Sequence, residues 1–201
     1  MRVGVLGGTF DPIHNGHVKV AEEASEKLSL ARVLFVPAGE PWLKGHRMLT
    51  GASHRLQMVK LAVALDKRFE VSTVDLDRAG PSYTEDTLSA LQRRLGADAE
   101  LYFILGADAL KEFDKWRNPH RIVAMCHLVA LKRPRCPLPD LAGLESAVPG
   151  ISERTIVLDN QPIDITSSDI RNRVQQGLPI ADLVPQPVER YIREYCLYGN
   201  T

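Results

Sequence analysis

The chain has 201 residues, 44% of them hydrophobic, and its 25 Lys and Arg balance 25 Asp and Glu. That length suits one globular unit around a single core rather than two independent domains, and the balanced charge gives no field for tracking along nucleic acid or adsorbing to an anionic membrane. The N-terminal apolar run is too short and glycine-broken for a signal peptide and no stretch approaches membrane-spanning length, so a cytoplasmic enzyme or binding protein is expected, with any anion bound by local groups.

The first predicted strand, Arg2 to Leu6, runs directly into Gly7-Gly8-Thr9-Phe10-Asp11-Pro12-Ile13-His14-Asn15-Gly16-His17. Helical period follows from Gly16 to Leu28, with Val20, Ala21, Ala24 and Leu28 on one face, and then a strand from Arg32 to Pro37. A second helix, His54 to Leu65, repeats through Leu56, Val59 and Val63, and a strand is expected from Phe69 to Leu76. Thr84 opens a helix ending near Leu95: a hydroxyl at the cap and acids Glu85 and Asp86 in the first turn suit the dipole, and Gly96 follows the last turn.

Further strands are predicted at Leu101 to Leu105, His127 to Leu131 and Thr155 to Leu158, and at Leu105-Gly106-Ala107-Asp108 a strand gives way to a helix. Prolines make Arg133 to Pro139 a surface connection. Two helices, Ser167 to Arg173 and Pro187 to Tyr195, close the chain, so residues 167–201 read as a C-terminal helical part of one domain spanning 1–201. This alternation predicts an α/β fold, a Rossmann-like parallel sheet with helices on both faces. Cys126, Cys136 and Cys196 are odd in number and widely spaced, which argues for reduced thiols rather than a disulfide framework or zinc knuckle.

A strand ending in Gly7-Gly8 and feeding a helix near Gly16 puts backbone amides where phosphate oxygens can approach, at the positive end of a helix dipole. His14 and His17, three apart, share a face of that first turn. They could cap the turn, bind a metal with Asp11 as the only near third ligand, or donate to oxygens whose charge grows in a phosphoryl transition state. The glycines favour the third use. The turn fails the dinucleotide Gly-x-Gly-x-x-Gly fingerprint at its second glycine, and no Gly-Lys-Ser/Thr follows to make a P-loop.

Thr9 to His17 resembles the H-x-G-H signature of the nucleotidyltransferase superfamily related to class I aminoacyl-tRNA synthetases. A second block of that superfamily, Ile-Ser-Ser-Thr-x-x-Arg, is matched by Ile165-Thr166-Ser167-Ser168-Asp169-Ile170-Arg171, with hydroxyl kept at both exchanged positions. Ser167 or Ser168 can cap the late helix and donate to a phosphate, and Arg171 supplies a cationic fork.

The middle of the chain resembles the bacterial nicotinate mononucleotide adenylyltransferases over nearly its full length. Lys44 of Pro41-Trp42-Leu43-Lys44 matches the lysine of the family's Pro-Pro-His-Lys loop, although Leu43 stands where the histidine would be. Ser82-Tyr83-Thr84 matches a Ser-Tyr-Thr block whose helix-start amides would hold the pyridine carboxylate, with packing as the other use of Tyr83. Gly106 and Asp108 lie where open α/β sheets bind ligands, Asp108 accepting from ribose hydroxyls or serving as a helix N-cap. Trp116 would stack on the nicotinate ring, with packing again as the alternative.

The resemblance implies transfer of AMP from ATP to nicotinate mononucleotide, giving deamido-NAD and pyrophosphate. In that reading Gly7, Gly8, Thr9 and Phe10 fix the α-phosphate by backbone, His14 and His17 contact phosphates, and Ser167, Ser168 and Arg171 hold the β- and γ-phosphates. Magnesium would arrive with ATP, held by phosphate oxygens and water rather than a protein cage. A homo-oligomer is left open, and the rivals are a superfamily enzyme using nicotinamide mononucleotide or pantetheine phosphate and a nucleotide sensor without turnover.

Overall fold

The computed structural model describes residues 1–41, 49–132, 140–159 and 164–199. Among them, β1 (Arg2–Gly8), β2 (Arg32–Pro37), β3 (Phe69–Val71), β4 (Glu100–Gly106), β5 (Cys126–Leu131) and β6 (Thr155–Leu158) form one parallel sheet in the order β3-β2-β1-β4-β5-β6. The strands are apolar on both sides because both sides are covered. Val33 and Phe35 of β2 and Tyr102 and Ile104 of β4 enter one core, while Leu34, Val36, Leu101, Phe103 and Leu105 enter the other.

On the first face pack α1 (Asn15–Leu28), α2 (Ala52–Val63), α8 (Ser167–Gln175) and α9 (Gln186–Glu194), contributing Ala21, Ala24, Met58, Val59, Ile170, Val188 and Ile192. On the second lie α3 (Thr84–Leu95), α4 (Ala107–Lys111), α5 (Pro119–Met125), α6 (Leu141–Ala147) and α7 (Ile151–Arg154), with Leu88, Leu91, Leu110, Ile122, Val123 and Ile151. The chain leaves β1 toward β2 on one side and returns as β4 on the other. That makes the carboxyl ends of β1 and β4 the switch point of the sheet, where such folds open a crevice.

The α/β class and sheet-forming runs agree with expectation, with corrections at particular elements. β3 stops at Val71 rather than Leu76, because the chain turns at Thr73, whose carbonyl accepts from the amides of Leu76 and Asp77. Thr84 does not cap α3; Tyr83 is the N-cap in extended conformation, and its carbonyl accepts from the Thr87 amide. Neither Ser167 nor Ser168 caps α8, since the Thr166 side chain accepts from the Asp169 amide. Helices α5, α6 and α7 were not anticipated, being too short to show a clear period. The proline-rich connection from Arg133 to Pro139 lies outside the described residues. Among the described residues no helix is long and apolar enough to cross a membrane.

Candidate active site

The two sequence blocks meet. After β1 the chain passes through Phe10, at φ 49°, and a cis peptide between Asp11 and Pro12 before α1 begins. Against this corner sits the start of α8. The Ser167 hydroxyl donates to the Pro12 carbonyl at 2.9 Å, and Arg171 donates one nitrogen to the Asp11 carbonyl and another to Ser168 Oγ at 2.8 Å. Arg171 is buried. The loop before α9 also holds α1, since the Asn15 amide and side chain donate to the carbonyls of Leu183 and Asp182.

His14 is the N-cap of α1 and His17 lies three residues on; their rings stack with centroids 3.7 Å apart. The His14 backbone amide donates to His17 Nδ1 at 3.3 Å. Capping and phosphate donation are therefore compatible rather than rival uses, because a neutral His17 accepting at Nδ1 carries its proton on Nε2 and is a donor there. His14 is 3% exposed and His17 half-buried against the Phe10 ring, 5.0 Å away edge-on. Asp11, the expected third ligand of a metal reading, has its oxygens engaged by the Tyr198 hydroxyl and the Thr50 amide.

The glycines need a more specific account. A Cβ on Gly8 would lie 2.9 Å from the Phe10 ring, so this glycine makes room for Phe10 rather than simply for an incoming oxygen. Gly7 has only Phe103 near its Cβ direction, at 3.6 Å. Phe10 is buried, which leaves its backbone as the part that a ligand could meet; Thr9 is buried too, with its carbonyl bonded to Arg55.

Sequence reading missed Arg55 and Tyr198. Arg55 is 2% exposed and donates to the carbonyls of Thr9, Ala38, Gly39 and Thr50, at 2.9, 2.7, 3.3 and 2.9 Å. Burial pulls its pKa down and the Asp11 carboxylate pushes it back. Burial, and then the Asp11 charge, raise that of Tyr198, whose hydroxyl donates to Asp11 Oδ1 at 2.8 Å. The available signals were an arginine inside the apolar period of α2 and a tyrosine in a tail that had lost helical period.

On the other side of the switch point Gly106 is the N-cap of α4 and the exposed Asp108 lies in its first turn, so Asp108 is not the cap. Tyr83 is half-buried beneath the Arg117 guanidinium, 4.5 Å from its ring, and Thr84 follows as the first residue of α3. Trp116 is half-buried and packs on Phe113 and Phe103, at 5.1 and 6.0 Å between centroids. Packing thus accounts for part of its surface. Lys44 lies outside the described residues.

The cytidylyltransferase-like family profile matches residues 5–173. A protein of Dehalococcoides mccartyi, named a probable nicotinate-nucleotide adenylyltransferase, is 40% identical over 198 residues, covering 98% of this chain and 97% of that protein. One so named from Roseiflexus sp. is 45% identical over 196 residues, with 98% and 97% covered. Among solved structures, a Plasmodium falciparum nicotinic acid mononucleotide adenylyltransferase complexed with NaAD superposes with a TM-score of 0.78 at 21% identity, over 98% of this chain and 97% of that one, a likeness of fold.

Proposed function

The chain belongs to the cytidylyltransferase-like family and, within it, to the nicotinate-nucleotide adenylyltransferases, and from that premise we propose how its own residues carry AMP from ATP to nicotinate mononucleotide, releasing pyrophosphate and forming deamido-NAD for NAD biosynthesis. The observation that carries the residue roles is the contact of Ser167 and Arg171 with the backbone of Pro12 and Asp11, which gathers both blocks around one corner.

The attacking group is the phosphate of the mononucleotide, already ionised at neutral pH, so the reaction needs no general base and no covalent enzyme intermediate. Its oxygen displaces pyrophosphate from the α-phosphorus in line, and the protein's work is positioning and charge neutralisation. The backbone of Gly7, Gly8, Thr9 and Phe10 fixes the α-phosphate. His17, with Nδ1 occupied by the His14 amide, donates from Nε2 to the oxygens that gain charge, and His14 supports it from the stacked position. Ser168 and Arg171 hold the β- and γ-phosphates by side chain, and Ser167, whose hydroxyl proton is given to the Pro12 carbonyl, offers its backbone amide at the start of α8; the guanidinium's several N–H donors let it grip both the corner and an anion.

Mg2+ arrives with ATP and is held mainly by its phosphate oxygens and water. When bound, the ion would neutralise phosphate charge. On the pyridine side, the Thr84 amide at the start of α3 meets the carboxylate beside Tyr83, whose own amide donates to the Pro81 carbonyl; Trp116 offers a ring face, and Gly106 and Asp108 meet ribose. Lys44, outside the described residues, is the loop cation proposed to contact substrate. Residues 1–201 act as one catalytic unit, a reading supported by the shared core of α1, α2, α8 and α9, and the cytoplasm is the location proposed for it.

The test is competition of nicotinate and nicotinamide mononucleotides with ATP and Mg2+, followed by pyrophosphate release. Release with the acid in strong preference to the amide is expected; equal use of the two, or ATP binding with no release from any acceptor, sinks the assignment.

A further inference from the structure

The corner that is to meet the α-phosphate adopts a shape that its own sequence does not favour. Phe10 is a bulky residue in the left-handed region, at φ 49°, where such side chains are disfavoured unless the surroundings over-determine them. Three groups do so, two of them buried and Tyr198 half-buried, and each comes from a different part of the chain. Arg55 reaches from α2 and binds the Thr9 carbonyl on one side of Phe10. Asp11 lies on the other side, its carboxylate accepting from Tyr198 and from the Thr50 amide. Tyr198 comes from beyond α9, 187 residues along the chain from Asp11.

We propose that Arg55, Asp11 and Tyr198 form a brace that holds the phosphate-facing corner in its reactive shape, and so act as positioning residues for adenylyl transfer. The inference rests on the proposed function. Arg55 ties Thr9 to Ala38 and Gly39 at the end of β2 and to Thr50, so one guanidinium fixes three segments that border the corner. Its four backbone carbonyl acceptors are neutral and cannot balance its charge; Asp11 is the nearby acid whose charge acts on it. A lysine would keep the charge and lose the fork, because a single ammonium cannot face carbonyls spread over three segments.

Gly39 shows how tightly this region is set. A Cβ there would lie 2.6 Å from the Asp75 carbonyl oxygen, while its amide donates to Ser82 Oγ in the loop before α3. The same guanidinium therefore links the phosphate corner to the segment leading to the pyridine side. Tyr198 closes the brace: its half-buried ring packs with Leu197 against the core of α1, α2, α8 and α9, and its hydroxyl also lies 4.0 Å from Met58 Sδ, one turn of α2 beyond Arg55. The C-terminal tail thereby stabilises the geometry of the N-terminal corner.

The experiment measures kcat and both KM values for Tyr198→Phe and Arg55→Lys, in the wild-type and His17→Ala backgrounds, well below each protein's unfolding temperature. Tyr198→Phe keeps the packed ring and removes only the hydroxyl. We expect kcat to fall roughly tenfold or more in each variant with the mononucleotide KM within about twofold, because misplacing reacting groups acts on the transition state. The loss should shrink in the His17→Ala background, where the donor that the corner positions is already gone. Wild-type kcat in Tyr198→Phe, or a loss of equal size in both backgrounds, overturns the brace while leaving the proposed function standing. A wild-type enzyme that releases no pyrophosphate overturns the function, and the brace with it.

Discussion

The Ser167 hydroxyl donates to the Pro12 carbonyl across 2.9 Å, with 155 residues of chain between them. Arg171, one turn on, donates to the Asp11 carbonyl and to Ser168. The end of the chain thus shapes the corner that its beginning supplies. Arg171→Lys keeps a positive charge but cannot make both bonds in the same geometry, so kcat/KM for ATP should fall by about tenfold or more. Steady-state rates with ATP varied check this, and a variant with unchanged kcat/KM would remove the guanidinium from triphosphate binding.

His17→Ala takes away one donor to the transition state, together with the acceptor of the His14 amide. The expected result is a kcat lower by about 100- to 1,000-fold, with smaller change in either KM. Turnover at the wild-type rate would exclude His17 from the chemistry and leave it as a turn residue bonded to the His14 amide.

The sheet was readable because its strands are buried on both faces. Continuous runs such as Val33-Leu34-Phe35-Val36 have no other stable home, and they fell at their observed positions. Short helices such as α7, four residues long, carry no period and could not be read. At the site, the polar motif residues announced themselves, whereas their supports did not. Arg55 shares the apolar face of α2 with Met58 and Val59, but near a helix start that position does not say whether an arginine is buried or reaches solvent, and Tyr198 follows α9 with no repeat to mark its direction. Thr166 did have a signal, an acid three residues later, but the serines after it drew the cap assignment.

Glu85 is buried at the start of α3 and is bonded by Asn118 and Arg121, just past Trp116. It clasps the Trp116 segment to the helix start proposed for the pyridine carboxylate. Glu85→Ala should raise the mononucleotide KM several-fold and leave the ATP KM within about twofold, because the clasp lies on the pyridine side of the switch point. Parallel titration of the two substrates decides it; equal rises in both KM values would show a general loss of structure instead.

The two described cysteines should react very differently. Burial pushes the Cys126 thiol up to about 12, and its Sγ–H donates to the Ile122 carbonyl, so at neutral pH it is neither ionised nor reachable. Cys196 is exposed. Brief native alkylation followed by peptide mass mapping should label Cys196 and spare Cys126 until denaturant is added; early labelling of Cys126 would mean that the second face of the sheet opens readily.

Asp75 offers a test of stability against pH. It is 5% exposed, and burial raises its carboxyl above the ordinary range, against the opposing pull of the Thr87 hydroxyl, Arg78 and Ser82. A carboxyl whose folded pKa exceeds its unfolded value takes up a proton on folding in the window between the two. Its contribution is therefore present below the unfolded pKa and is lost as pH rises through the raised folded one. Asp75→Asn cannot titrate, yet it keeps an oxygen to accept from the Thr87 hydroxyl, which donates to Asp75 at 2.6 Å. The wild type should therefore lose stability relative to Asp75→Asn as pH climbs from about 4 toward 7. Urea midpoints of the two proteins across that range measure the difference. A wild type that gains on the variant with rising pH would show that Arg78 and the hydroxyls outweigh burial and hold the carboxylate charged.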